Sequence, residues 1–389
     1  MTGPKPNDSA GSRVLVTDGE FKHTLGIVRD LADAGHEVHV LARSGRAPAV
    51  HSRAVHAWHE SSGPESGYDA RLFNVAKRLA PVSVIAIGNG AMAAADRLRT
   101  RWPVGVRVAI ADHEAFLTAN AKDLTAAVAR RLGLATPRER SVANADEARE
   151  ALAEFGAPLV LKSSREEGIK ALRYVREESE VPDAYAAVRA HAAEGVLAQE
   201  YVKGEGYGFC ALYWLGQRMR TFMHRRVREW PPSGGASAAA ESLPTCAPLE
   251  RAGATLLDAL GWHGVVMVEF KGDPEGRLVL MEINAKFWGS HDVALAAGVH
   301  FPRDLAALLD GHALAAQEPV RHVRYSWPLG GDLWHAMARP ASLPRVAWDA
   351  VSPGVRHNLR WSDPLPHVYE WLQWARSTPN ALREARKMR

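Results

Sequence analysis

Residues 266–290 read VMVEFKGDPEGRLVLMEINAKFWGS, and the reading of this stretch decides the fold. Two apolar, strand-like runs, 265–270 and 278–284, each carry one acid, Glu269 and Glu282. The connector GDPEG at 272–276 is turn chemistry, so the pair reads as a β-hairpin. Side chains alternate along a strand, which puts Glu282 and Asn284 on one face. With a four-residue loop at 274–277, Glu269 lies directly opposite Glu282. With the register shifted by one, the two acids fall on opposite faces. In the first register like charges repel across the sheet, and burying them unpaired costs more still. A divalent cation between them would turn that cost into a binding site.

At 389 residues the chain is long enough for two or three domains with substantial cores. The composition, 47% hydrophobic and 24% charged, is that of a soluble globular protein, with disorder expected only at the ends. A net charge of +4 without any Lys/Arg block gives nucleic-acid binding little footing and suits small anionic substrates. Cys210 and Cys246 lack metal-ligand spacing and point to a reducing, cytoplasmic setting. The opening MTGPKPNDSAGSR has no apolar segment of the signal-peptide kind, and no run of 18 apolar residues occurs, so no membrane span is expected.

Residues 1–12 read as a disordered tail. From 13 to 115 strand and helix patterns alternate (RVLVT, FKHTLGIVRDLADAG, HEVHVLA, VSVIAIG, VRVAIA), which predicts a first α/β domain with a parallel sheet. The first strand runs into Thr17-Asp18-Gly19-Glu20, not G-x-G-x-x-G, and the chain has no G-x-x-x-x-G-K-[ST], so dehydrogenase and P-loop readings fall away. A helix is expected over 116–133, carrying Lys122. A second α/β pattern follows from 134, and REWPPSGGASAAAES reads as a long loop. The last seventy residues hold six of the twelve tryptophans, expected mostly to pack against the body. In HAWHE, His56 and His59 stand three apart with no evident third metal ligand, which favours a surface loop. H-E-x-x-H, G-x-S-x-G and Met-Lys-Met motifs are absent.

In chain order come Lys122, Lys162 closing the strand PLVLK, QEYVKGEG at 199–206, Arg225 and Arg228, Glu269, and Glu282-x-Asn284. That order, with EINAKFWGS so close to an E-I-N-P-R-F form, resembles the ATP-grasp superfamily over roughly residues 13–312. The resemblance implies an N-terminal Rossmann-like (pre-ATP-grasp) α/β domain at 13–115. A two-lobed α+β ATP-grasp domain would follow at 116–312, with a lid at about 134–200, and then a Trp-rich C-terminal extension at 313–389. It assigns Lys122 and Lys162 to nucleotide phosphates, although each residue alone reads equally as a solvated charge. Backbone groups of Glu200, Tyr201 and Val202, at a strand edge, would meet the adenine edge, and Glu205 the ribose hydroxyls. Glu269, Glu282 and Asn284 become the ligands of Mg²⁺, with two ions expected and Mn²⁺ an alternative.

HRRVREWPPSGGAS is the expected substrate segment. Arg225 would face the transferred phosphoryl group, Arg228 would clamp a carboxylate, Gly234-Gly235 would offer backbone N–H groups, and Lys286 would meet an acyl-phosphate. The sequence departs from the family in two places. The lid loop SSREEG has one glycine, Gly168, beside Ser163 and Ser164, and Ala285-Lys286 stands where Pro-Arg is usual. The expected activity is ATP-dependent carboxylate–amine ligation through an acyl-phosphate, releasing ADP and phosphate. Carboxylation through carboxyphosphate, or a regulatory nucleotide-binding protein without turnover, are the rival readings. ATP and Mg²⁺ are the implied cofactors, a small-molecule carboxylate and amine the partners, and a homodimer is compatible with the family.

Overall fold

The apolar run Val14-Leu15-Val16, fully buried, forms the central strand of the first sheet. The structure is a computed structural model that describes residues 11–61, 67–163, 172–192, 195–232 and 234–387, with side chains described to residue 379. The tail expected at 1–12 lies almost wholly outside these residues, as do Ser164 and Gly168 of the lid loop.

The first sheet contains β1 (Arg13–Thr17), β2 (Glu37–Ala42), β3 (Ala57–Glu60), β4 (Val82–Ile85) and β5 (Val106–Val108), all parallel, in the order β3-β2-β1-β4-β5. The crossover helices α1 (Thr24–Asp33), α2 (Tyr68–Leu79) and α3 (Asn89–Arg97) cover it. Strand order reverses between β1 and β4, and ligands of such sheets bind in the crevice beyond the strand C-termini at that point.

The helix expected over 116–133 is two helices, α4 (His113–Asn120) and α5 (Lys122–Arg131). Ala121 is extended between them (φ −110°), which sets Lys122 on the first turn of α5, against the hairpin strand that carries Glu282. Next comes a four-stranded antiparallel sheet: β6 (Glu139–Val142), β7 (Leu159–Ser163), β8 (Leu172–Val175) and β9 (Val196–Glu200), ordered β6-β9-β7-β8. It has its own apolar core under α6 (Ala145–Phe155) and α7 (Val181–Arg189).

The largest sheet is built on β10 (Glu205–Trp214), β11 (Gln217–Trp230), β12 (Ala236–Ser242), β13 (Gly264–Gly272) and β14 (Leu278–Asn284), with α8 (Ala247–Ala259) between β12 and β13. After α9 (Asp292–Ala297) and α10 (Phe301–Leu309), β15 (Arg324–Ser326) and β16 (Val355–His357) complete the order β14-β13-β10-β11-β12-β15-β16. The long loop read into REWPPSGGASAAAES is shorter than expected, because REW ends strand β11 and ASAAAES is strand β12. Alanine is a poor strand former, but Ala238, Ala239 and Ala240 are fully buried on a central strand where small side chains let neighbours approach. A Cβ on Gly331 would stand 2.8 Å from that of Ala238.

The C-terminal residues supply two strands, β15 and β16, to this sheet. The remaining helices are α11 (Leu333–Ala338), α12 (Leu343–Val351) and α13 (Leu365–Lys387). Trp327 is fully buried, as expected for packing, whereas Trp348, Trp361 and Trp371 are exposed. No helix among the described residues is long and apolar enough to cross a membrane.

The opening hairpin pairs Glu269 with Glu282, but by a different route from a four-residue loop. The loop is five residues, with Gly272 opposite Leu278 and Gly276 at φ +81°, where a side chain would be strained. That loop alone would set Glu269 opposite Met281, one residue short of Glu282. A β-bulge takes up one residue between the Phe270–Leu280 and Glu269–Glu282 pairs, leaving Met281 unpaired and bringing the two acids face to face.

Candidate active site

Register places the site on one face of the large sheet. Glu269 opposes Glu282 on one side and Gly208 on the other, and Gly208 opposes His224. Asn284 follows Glu282 on the same face, and Arg226 follows His224. Strand β10 contributes only Gly206 and Gly208 here, which lets Arg226 and His224 of β11 lean across it. A Cβ on Gly206 would lie 2.8 Å from Arg226 Cδ, and one on Gly208 would lie 2.2 Å from His224 Cε1.

Arg226 reaches Glu269 Oε2 at 2.6 Å and Glu229 Oε1 at 3.2 Å, and also donates to the Gly235 carbonyl at 3.1 Å. Asn284 Nδ2 donates to Glu269 Oε1 at 3.0 Å, and Lys286 Nζ donates to Asn284 Oδ1 at 3.2 Å. Lys122 Nζ stands 3.8 Å from Glu282 Oε2. Two carboxylates, only 15% and 16% exposed, are thus ringed by Arg226, Lys122 and Lys286. Burial alone would depress the Arg226 guanidinium, but the Glu269 and Glu229 carboxylates outweigh it and hold its pKa above the usual value. His224 is pushed down to about 3, by burial first and then by the Arg226 charge, so it stays neutral and shares a hydrogen bond with Ser290 Oγ at 2.9 Å. Glu269, Glu282 and Asn284 present hard oxygen donors from adjacent strands, the donor chemistry that Mg²⁺ takes.

The first sheet adds residues that the sequence reading missed. Asp18, at φ +55° just past β1, accepts from Thr17 Oγ1 and from the Gly88 N–H at 2.9 Å, closing the strand-order reversal between β1 and β4. Lys22, four residues on, donates to the Ser237 carbonyl at 2.7 Å and lies over the Trp327 ring at 4.3 Å. Burial lowers its pKa to about 8, although the Asp292 and Asp332 charges oppose the shift. The loop after a first parallel strand was the available signal for these residues. Lys271, on the Glu269 face of β13, was also missed; it donates to the Val202 carbonyl at 3.1 Å and stands 5.1 Å from the Tyr201 ring centroid. Its pKa is lowered by burial.

On the smaller sheet, Lys162 is buried and donates to Gln199 Oε1 at 3.1 Å, and Gln199 in turn donates to Glu139 Oε2 at 2.7 Å. Ser163, also buried, ends the same strand.

Several expected site residues sit elsewhere. Arg225 is on the opposite face of β11, paired with Glu241 and, at 3.1 Å, with Glu205. Side-chain alternation gives the site face to Arg226, a parity the sequence alone leaves open until β11 is registered against Glu269. Glu205 is on that opposite face too, accepting from Arg225 and from Tyr207 Oη, so a ribose contact has no support here. Arg228 does clamp carboxylates, but they are the chain's own. Its Nε and Nη2 bind Asp332 at 2.7 Å each, and its Nη1 binds Asp349 at 2.6 Å, all buried. Strand β9 is central, not an edge: the Glu200 N–H donates to the Arg138 carbonyl at 2.9 Å and the Glu200 carboxylate binds Arg138 at 2.6 Å. Tyr201 and Val202 lie just beyond the strand. At Gly234-Gly235 it is the Gly235 carbonyl, not an N–H, that faces Arg226.

No family model matches the sequence, and no curated protein matches it either. Solved structures do. The chain is similar to biotin carboxylase of Campylobacter jejuni in a β,γ-ATP complex, at 15% identity and TM-score 0.66 over 80% of this chain and 74% of that one. It is similar to the biotin carboxylase domain of 2-oxoglutarate carboxylase from Hydrogenobacter thermophilus, bound to MgADP, ADP and bicarbonate, at 17% identity and TM-score 0.64 over 80% and 72% of the two chains. N5-carboxyaminoimidazole synthetase of Staphylococcus aureus in complex with ADP aligns at 12% identity and TM-score 0.65 over 86% of each chain. At these identities the likeness establishes the fold.

Proposed function

We propose that this chain, whose fold is that of the ATP-grasp enzymes, is an ATP-dependent carboxylate–amine ligase. One observation carries the proposal: Glu269 and Glu282 face each other beside Asn284, inside a ring formed by Arg226, Lys122 and Lys286. Like charges held this way fit a site for a metal-bound polyphosphate. Mg²⁺ at these oxygens would neutralise the phosphates and align the γ-phosphoryl group.

The chain's own groups would do the rest. Arg226 and Lys122 give up part of their hold on Glu269 and Glu282 and turn to the phosphate oxygens. Lys286 orients the substrate carboxylate. An oxygen of that carboxylate attacks the γ-phosphorus, the bond to the β-phosphate oxygen breaks, and ADP leaves. An amine nitrogen then attacks the acyl carbon, the carbon–oxygen bond to phosphate breaks, and the amine's proton is lost as the amide forms. Alignment and charge placement supply the rate. Lys162 and Ser163, on the sheet that would act as lid, are suited to cover the phosphates, and that sheet would exclude water from the acyl-phosphate.

Carboxylation, with bicarbonate as the phosphoryl acceptor, is the second reading, favoured by the likeness to two biotin carboxylases and a carboxyaminoimidazole synthetase. Hydroxylamine trapping separates the two. The protein is incubated with ATP, Mg²⁺ and hydroxylamine across amino acids, hydroxy acids, sugar acids and bicarbonate. The ligase reading expects hydroxamate matched by ADP for one organic acid. ADP formation dependent on bicarbonate alone would favour the second reading, and no ADP with any acid would count against both.

A further inference from the structure

A cluster of ring nitrogens and one carboxylate lies away from the candidate active site, at the N-terminal end of β2. Glu37 and His39 share a face of β2, and His39 Nε2 stands 2.8 Å from Glu37 Oε1. His56 is held alongside by its backbone N–H, which donates to the Val38 carbonyl at 2.8 Å, and its ring centroid is 5.3 Å from that of His39. One donor atom from each of Glu37, His39 and His56 lies within 4.8 Å of the others. His59 completes the arrangement from the other side, with Nε2 3.1 Å from His39 Nδ1 and its ring stacked on that of His39. The missing third partner of HAWHE is thus supplied by the neighbouring strand.

We propose that Glu37, His39 and His56 bind a first-row transition-metal ion, Zn²⁺ in particular, with His59 as a positioning residue. Imidazole with one carboxylate is a donor set for such ions, and three protein ligands leave a fourth position for water. His39 is only 5% exposed, and the contact of its Nδ1 with His59 Nε2 at 3.1 Å fixes the ring with Nε2 facing Glu37. His39 Nε2 and Arg13 Nε both stand against Glu37 Oε1. Arg13 holds the same Oε1 at 2.8 Å, so the ion would take Oε2 or displace Arg13.

Glu37, His56 and the neighbouring His36 and Arg53 line a surface concavity of about 540 Å³, which gives the ion a way in. Tetrahedral coordination at about 2.0–2.1 Å needs His56, which is exposed, and the partly exposed Glu37 to close in on the fixed His39. The crevice at the strand-order reversal is at the opposite, C-terminal end of these strands. A metal here would tie β2 to the start of the edge strand β3.

The test is Zn²⁺ binding to the full chain by equilibrium dialysis, repeated in Glu282→Gln so that the carboxylate hairpin is not the site counted. One tight Zn²⁺ per chain is expected in both proteins. Binding should vanish in His39→Ala and His56→Ala and weaken about tenfold or more in His59→Ala. His56 is exposed, so His56→Ala tests the site without disturbing the fold. Co²⁺ should give the intense visible bands of tetrahedral coordination in wild type and not in His56→Ala. No stoichiometric Zn²⁺ in wild type, binding that disappears with Glu282→Gln, or binding retained in either His39→Ala or His56→Ala overturns the proposal.

Discussion

Arg226 and Arg228 lie two residues apart on β11, both in ion pairs with carboxylates, and they differ in what those pairs leave unused. Arg228 is sealed: its guanidinium binds Asp332 through two nitrogens and Asp349 through a third, and Ser326 Oγ adds a bond to Asp332 at 2.6 Å. Arg324 and Arg345 close around Asp349 at 3.0 and 3.4 Å. Arg226 binds Glu269 and Glu229, but its Nε finds no hydrogen-bond partner among the described residues, and its partner Glu269 confronts another carboxylate. A buried pair with every guanidinium nitrogen bonded fastens one part of the chain to another. A buried pair with like charge beside it suits the proposed role of meeting a metal-bound nucleotide.

The largest effect should come from breaking the sealed cluster. Arg228→Met leaves Asp332 and Asp349 buried without their main partner and should cost about 3–5 kcal/mol in urea unfolding, with Mg²⁺ and ADP adding no more stability than they add to wild type. Arg226→Gln should behave the other way, lowering kcat by about 10²–10³-fold while Mg²⁺ with ADP restores thermal stability. If Mg²⁺ and ADP rescue Arg228→Met and not Arg226→Gln, the assignment of roles is reversed.

A smaller effect is expected where β10 gives way to β11. Gly208→Ala puts a methyl group 2.2 Å from His224 Cε1 and should cost about 1–3 kcal/mol, measured by the same unfolding. A loss confined to kcat, with stability intact, would mean that the strand can shift freely.

The smallest concerns His224. Its pKa falls from 6.5 to about 3 on folding, so between those values the unfolded chain binds more protons and stability drops as pH drops. His224→Asn should flatten the stability–pH curve over that window, and an unchanged slope would show that His224 takes no part in it.

Much of this was legible in the sequence because it follows local rules. Alternating strand and helix patterns announced the first parallel sheet, and the two apolar runs around GDPEG announced the hairpin. What escaped depends on non-local register. The face-to-face acids need a bulge at Met281 that no turn signal encodes, and whether Arg225 or Arg226 joins them is settled only by pairing through Gly208. Ala238–Ala240 read as loop because alanine has no strand preference of its own, and burial between two neighbours overrode that. Lys22 comes from a loop some two hundred residues before the strand it touches, so no spacing could have linked them.

The central claim is that the hairpin acids hold a metal-bound nucleotide, and the most direct measurement is equilibrium binding of ATP with and without Mg²⁺, in wild type and in Glu282→Gln. Mg²⁺-dependent binding in wild type, weakened about tenfold or more in the variant, is the predicted result. ATP bound equally well by both proteins, or bound without regard to Mg²⁺, would contradict it.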